Sequence, residues 1–307
     1  MWDTKLTVIK PGLQTFIVDH GRSDHLSLGV PMGGAMDKRS MIIANRLVGN
    51  QDHSPIIEAT LVGPKLKIVG DAYISVAGGN VDFKIDDIPA KMYETIHVKS
   101  GSTVSLGHVN QGVRSYLAIN GNWQLHKWLD SYSQLPAVNL KSLQKNILLK
   151  NSELNINTQK LVHKKVCPFK LRFQQDNIIR ILSGPEYNML TTGAKVMLAH
   201  QEFTIHKNSN RMAVSVEEKL PVPKKQIDLI SSANLLGTIQ LTKQGQPLIL
   251  MNDAGTTGGY PRIANVITND LQKIAQVSAG QKVRFKIVNL DFAYKELKKE
   301  KELLLSL

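Results

Sequence analysis

Residues 253–264 read DAGTTGGYPRIA, placing one acid, three glycines, two adjacent threonines, a tyrosine, a proline and an arginine in twelve positions. Glycine lets a ligand approach bare backbone, threonine sets a hydroxyl beside neighbouring N–H donors, and proline stiffens the exit from a turn. Such a loop can cradle a carboxylate, a ureido oxygen or a phosphate. The same composition also makes a tight barrel turn whose hydroxyls satisfy their own backbone, and composition alone does not choose between the two. A second glycine pair, Gly33–Gly34, precedes Asp37 and an apolar run. Asp37 is placed to cap a helix rather than to catalyse, and the backbone of Gly33, Gly34 and Ala35 is placed to bind an anion at that helix N-terminus. Asp19, His20 and Arg22 lie just upstream, where they can line the same cleft.

Other chemistries have no residues to carry them. The nine histidines show neither HxH nor HExxH spacing, Cys167 has no CxxC partner, and there is no GxxxxGK[ST] phosphate loop or Met-Lys-Met biotin attachment site. The expectation is no metal site and no cofactor bound by this chain.

The elements that position these loops are mostly strands. KLTVIKPG, KLKIVGDAYISVAGG, STVSLGHV, RSYLAING, IIRILSG and QKVRFKIV alternate at period two or run apolar up to a glycine. In the last of them Val283, Phe285 and Ile287 face one way. PLILMN (247–252) and IANVI (263–267) read as short strands flanking the twelve-residue loop. Three helices interrupt the pattern: 38–48, with Asp37 as cap and Gly49 as stop, NDLQKIAQ after Thr268, and the C-terminal KELKKEKELLL. Residues 133–167 are polar and poor in glycine and read as a connection. The expected organisation is an N-terminal β domain over 1–132, that connection, and a C-terminal β domain over 168–307.

The chain has 307 residues, 42% hydrophobic and 21% charged, which suits a soluble globular protein of two domains. No long apolar stretch suggests a signal peptide or membrane span, and one cysteine points to a reducing compartment, so a cytoplasmic protein is expected. The net charge of +13 raises the question of nucleic acid. The basic residues are scattered and no nucleic-acid-binding signature accompanies them, so neither nucleic acid nor membrane is an expected partner.

PGLQTFIVDHGRSDHLSLGVPMGGAMDKRSMIIANRLVGN (11–50) resembles the opening of the biotin-dependent carboxyltransferase family, which includes the KipA proteins, the C subunits of 5-oxoprolinase and the allophanate hydrolase subunit 2 proteins. Glu58 with TLVGPKL, GVRSYLAINGN (112–122), RILSGPEY (180–187), SNRM (209–212), GTIQLTKQGQPLILMNDAGTTGGYPRIA (237–264) and DLQKIAQVSAGQKVRF (270–285) extend the likeness, in order, over nearly the whole chain. The resemblance implies a mainly β fold of two barrel-type halves, cyclophilin-like, with a few short helices. It also implies amide chemistry: ATP-dependent opening of 5-oxoproline to glutamate, together with a KipI-like B subunit and a LamB-like A subunit. Its alternatives are a non-enzymatic KipA-type regulator bound to a KipI-like partner, and transfer of a carboxyl group from carboxybiotin to urea or a similar small amide. ATP would be bound by partner subunits and carboxybiotin supplied by another chain.

With that resemblance, Asp253 and Arg211 become the candidates for holding and polarising an amide or lactam, with a structural ion pair as the competing reading. Thr256, Thr257, Gly258, Gly259 and Tyr260 would form the cradle for a developing oxyanion. Gln240 either hydrogen-bonds the substrate amide or bridges strands. The chain departs from the family pattern at Gly33, where serine is usual, at Gly255, where glutamine is usual, and at Asn210 and Ala213. It departs again in SSANLLGTIQLT (231–242), which replaces a glycine-rich EGVVPGAIQVP-like segment.

Overall fold

The computed structural model describes residues 2–135, 148–169, 177–222 and 229–307. Two compact units emerge: Met1–Arg22 with Gly33–Phe173 and Leu304–Leu307, and Ser23–Met32 with Gln174–Leu303. A stretch before the first helix thus groups with the second unit, and the last four residues group with the first.

In the first unit the 17-residue strand Thr103–Ile119 runs antiparallel to Ala72–Ile85, from Ile74 opposite Ile119 to Ile85 opposite Val104. Its other edge takes Lys65–Val69 at one end and Ile56–Thr60 at the other. One face closes on a core that includes Leu6, Ile57, Leu66, Ile74, Phe83, Leu117 and Ile156. The opposite face takes helix α1 (Lys38–Leu47), whose Met41, Ile43, Ala44 and Leu47 pack with Val18, Ile56, Ala77 and Tyr116. A sheet covered on both faces accounts for the continuous apolar run in AYISVA.

Asp37 caps α1 as expected: its Oδ1 accepts from Ser40 N at 3.0 Å and its Oδ2 from Ser40 Oγ at 2.6 Å. Gly49, at φ +74°, ends the helix with its N–H on the Arg46 carbonyl.

The expected connection over 133–167 is in part a strand. Glu153–Thr158 pairs antiparallel with Trp2–Lys10, and Leu154, Ile156 and Thr158 are buried on one face. The rest of that segment over 136–147, and residues 170–176 at the start of the expected second domain, lie outside the described residues.

The second unit is a curled sheet of seven strands ordered Glu202–Thr204, Lys282–Ile287, Ile178–Ser183, Arg262–Val266, Thr238–Leu241, Pro247–Leu250 and Ala213–Ser215. Its two ends meet: Ile205 bridges Val216, Glu217 N donates to the Thr204 carbonyl and His206 N to that of Ser215. Closure in this way removes the exposed edges. Val283 and Phe285 point inward as the alternation predicts, whereas Ile287, at the strand end, is 37% exposed.

Helix α2 (Thr192–His200) was not expected; Thr191 caps it through Ala194 N, and only Ala194 and Leu198 are buried, too sparse a stripe to read in the sequence. The helices α3 (Thr268–Ile274) and α4 (Leu290–Leu305) match expectation. Among the described residues no helix is long and apolar enough to cross a membrane. The architecture is thus mainly β, with two curled sheets and a few helices.

Candidate functional site

The stretch that begins at Asp253 leaves the barrel after Pro247–Leu250 and re-enters it at Arg262–Val266. An arginine grips a carboxylate with two N–H groups at each end. Arg211 donates from Nε to Asp253 Oδ2 at 2.8 Å and from Nη2 to Oδ1 at 3.0 Å, while Asp253 N donates to the Arg211 carbonyl at 2.9 Å. Each side chain is 5% exposed. These two candidates meet as a buried bidentate pair.

At the far end Arg262 donates from Nε to Glu186 Oε2 at 2.9 Å and from Nη2 to Oε1 at 2.8 Å, and its backbone N–H also reaches Oε2. These hydrogen bonds hold the Glu186 carboxyl below the usual glutamate range. A third guanidinium bond runs from Nη1 to the Ala233 carbonyl.

Between the two pairs, Thr257–Gly258 forms a short antiparallel ribbon with Ser232–Ala233. Asn234 N donates to the Thr256 carbonyl at 2.8 Å, Asn234 Nδ2 to the Gly255 carbonyl at 3.1 Å, and Gln240 Nε2 to Asn234 Oδ1 at 2.8 Å. Gln240 is buried and links the strand Thr238–Leu241 to Asn234. A Cβ on Gly258 would lie 2.8 Å from Gln240 Nε2, so glycine is needed for that close approach. Gly255, Thr257, Gly259 and Tyr260 are exposed and Thr256 and Gly258 half-buried. The loop thus has a rigid underside and an open rim of hydroxyls, a phenol and backbone. At Gly255 a Cβ would meet only the Thr257 carbonyl, at 3.6 Å, so the position can hold a side chain.

The glycine pair in the first unit turns out otherwise. Gly33 and Gly34 both have positive φ, and a Cβ on Gly34 would lie 2.9 Å from the Asp19 carbonyl oxygen and from Gly21 N. The donors that follow are already taken: Ala35 N by the Asp19 carbonyl, Met36 N by Glu58 Oε2 at 2.8 Å, and Asp37 N by the Tyr116 hydroxyl at 2.8 Å. The Tyr116 hydroxyl in turn donates to Glu58 Oε2 at 2.7 Å, and burial together with the nearby Glu58 and Asp37 charges holds its pKa well above the ordinary value. A buried carboxylate of the chain itself therefore sits where a substrate anion was expected. In the structure Gly33 and Gly34 shape this turn and Asp37 caps the helix.

Arg22, the other candidate of this cleft, is also buried. It is 2% exposed, with Nε on the Trp128 carbonyl at 2.9 Å and Nη2 on that of Ser133 at 2.5 Å. Asp19 is likewise turned inward, accepting from the Ser131 and Ser133 hydroxyls and from Gly21 N and Tyr132 N. Sequence reasoning missed Glu186, Asn234 and the anion-filling role of Glu58. Glu186 and Glu58 stood within quoted motifs, but only the folded chain shows what they face.

The sequence profile of the carboxyltransferase domain, subdomains A and B, matches residues 28–287. The chain belongs to that family. It is 31% identical over 290 residues to the 5-oxoprolinase C subunit of Escherichia coli, covering 94% of this chain and 93% of that one, and the two are homologous. It is also 29% identical to urea amidolyase of Saccharomyces cerevisiae, covering 92% of this chain but 16% of that much longer protein. In three dimensions it matches the crystal structure of Kluyveromyces lactis urea amidolyase with a TM-score of 0.90 at 26% identity, over 98% of this chain and 20% of that one. These relatives are enzymes or parts of enzymes.

Proposed function

We propose that this carboxyltransferase-domain chain is the C component of an ATP-dependent 5-oxoprolinase, binding and polarising the lactam while B and A subunits complete the enzyme. The near end-to-end likeness to the 5-oxoprolinase C subunit supports the reading. The observation that carries it is the Gly255–Tyr260 loop, exposed at its rim and braced at both ends by bidentate arginine–carboxylate pairs.

Opening a lactam places negative charge on its carbonyl oxygen, and N–H or hydroxyl donors fixed in advance stabilise that charge. Thr256, Thr257 and the glycine backbone would supply these donors, and Tyr260 would border the ring. Asp253 and Arg211 would act by holding the loop's first turn rather than by touching substrate. ATP would be bound by the partner subunits.

A second reading, carboxyl transfer from carboxybiotin to urea or a similar small amide, draws on the likeness to urea amidolyase across 92% of this chain. The test co-expresses the chain with its B- and A-type partners and measures glutamate released from 5-oxoproline with ATP. Glutamate formation that requires all three chains is the expected result. Turnover only of urea with a carboxybiotin donor would favour the second reading, and turnover of neither substrate would overturn both.

A further inference from the structure

The hydrogen bonds of Asn234 fix which way the loop's own donors point. Every peptide bond among the described residues is trans, and in a planar trans peptide C=O and N–H point in opposite directions. Asn234 draws the Gly255 carbonyl to its Nδ2 and the Thr256 carbonyl to its backbone N–H. The N–H groups of Thr256 and Thr257, on the other ends of the same two peptide planes, therefore both point away from Asn234.

The ribbon gives the same answer for Thr257. With Asn234 N on the Thr256 carbonyl, the facing residues Ala233 and Thr257 form a non-hydrogen-bonded pair, whose backbone groups turn outward from the ladder. Two successive N–H groups on one side make a concave donor pair of the kind that receives a carboxylate or a developing oxyanion.

Asn234 is itself held. Its Oδ1 accepts from Gln240 Nε2, and Gln240 is 4% exposed in the barrel strand Thr238–Leu241. The link therefore runs from a rigid strand through two amide side chains to two consecutive peptide planes.

We propose that Asn234 is the positioning residue of this loop, setting the Thr256 and Thr257 N–H groups to receive the lactam oxygen. This rests on the oxoprolinase reading above. Asn234 does not touch the reacting atoms; it acts through the peptides it orients.

The test compares wild type with Asn234→Asp, which keeps the acceptor for Gln240 and loses the donor to Gly255, and with Asn234→Ala, which loses both. Steady-state kinetics of the assembled complex with 5-oxoproline and ATP give kcat and KM, thermal unfolding reports the fold, and backbone 15N relaxation of the full chain reports order at residues 255–257. Both variants are expected to lose about 10- to 100-fold in kcat with KM changed by less than about twofold, because misplaced donors weaken the transition state more than the ground state. Tm should hold, while order parameters at 255–257 drop from about 0.85 to below about 0.6.

An unchanged kcat, or a loss of kcat explained by a lowered Tm, would overturn the proposal and leave the oxoprolinase reading standing. If the wild-type complex itself is inactive, that reading falls and relaxation decides the orienting role: lost order at 255–257 upholds it, and unchanged order overturns it.

Discussion

Two glycine-containing turns that look alike in sequence do opposite things in the fold. The turn at Gly33–Gly34 leads into helix α1, and its outgoing N–H groups end on the Asp19 carbonyl, on Glu58 and on Tyr116. The loop at Gly255–Gly259 has its carbonyls drawn down to Asn234, while its rim residues stay exposed. The difference lies in what the neighbouring strand aims at the turn. Ile56–Thr60 supplies a carboxylate and fills the site, whereas the Ser232–Ala233 ribbon and Asn234 supply donors, occupy the carbonyls and leave N–H groups pointing the other way. A glycine-rich turn is thus a candidate anion site only when no acceptor of the chain itself already occupies it.

Breaking the braces gives the largest expected effects. Asp253→Ala leaves the buried Arg211 charge without its carboxylate and should cost about 3–5 kcal/mol in urea unfolding, with loss of glutamate formation. The paired change Arg211→Met with Asp253→Leu should recover most of that stability without restoring turnover, which separates packing from the shape of the loop. In the first unit, Glu58→Leu strands the Met36 N–H and the Tyr116 hydroxyl and should cost about 3 kcal/mol, yet leave kcat and KM of the folded complex unchanged. A changed KM would mean that the filled turn takes part in binding after all.

Smaller effects sharpen the contrast. Gly34→Ala must place a Cβ 2.9 Å from the Asp19 carbonyl oxygen at φ +83°, and should destabilise by about 2–3 kcal/mol. Gly255→Gln has open space and should stay within about 0.5 kcal/mol of wild type, with any effect confined to activity. The smallest effect is acid sensitivity at the far brace. Arg262 depresses the Glu186 carboxyl, so the stability it adds is present above the unfolded glutamate value of about 4.3 and lost as pH falls through the lower folded value. Amide exchange at the base of the loop near Arg262 should therefore quicken there, and it should stay flat in Glu186→Gln.

Local signals account for most of what was legible in the sequence. Alternation revealed the mainly β architecture, Asp37 and Gly49 bracketed α1, and the glycine–threonine run marked the exposed loop. What stayed hidden depends on partners remote in the chain. The strand Glu153–Thr158 carries a period-two alternation of Leu154, Ile156 and Thr158, but only two of those three are apolar, a signal too short to stand out in the polar segment around it until Trp2–Lys10 pairs with it. Arg22 gave no sign of the carbonyls it would meet near Ser131. The segment SSANLLGTIQLT carries Asn234, which ties the loop to the barrel wall through a partner, Gln240, that its own sequence does not announce.

Hydrogen–deuterium exchange on the assembled complex, with and without 5-oxoproline, tests the central claim most directly, because it reads both turns in one experiment. Slower exchange confined to peptides spanning 253–262, with 31–41 unchanged, is the predicted result. Protection at 31–41 with none at 253–262 would contradict the account and return the Gly255–Tyr260 loop to the role of a barrel turn.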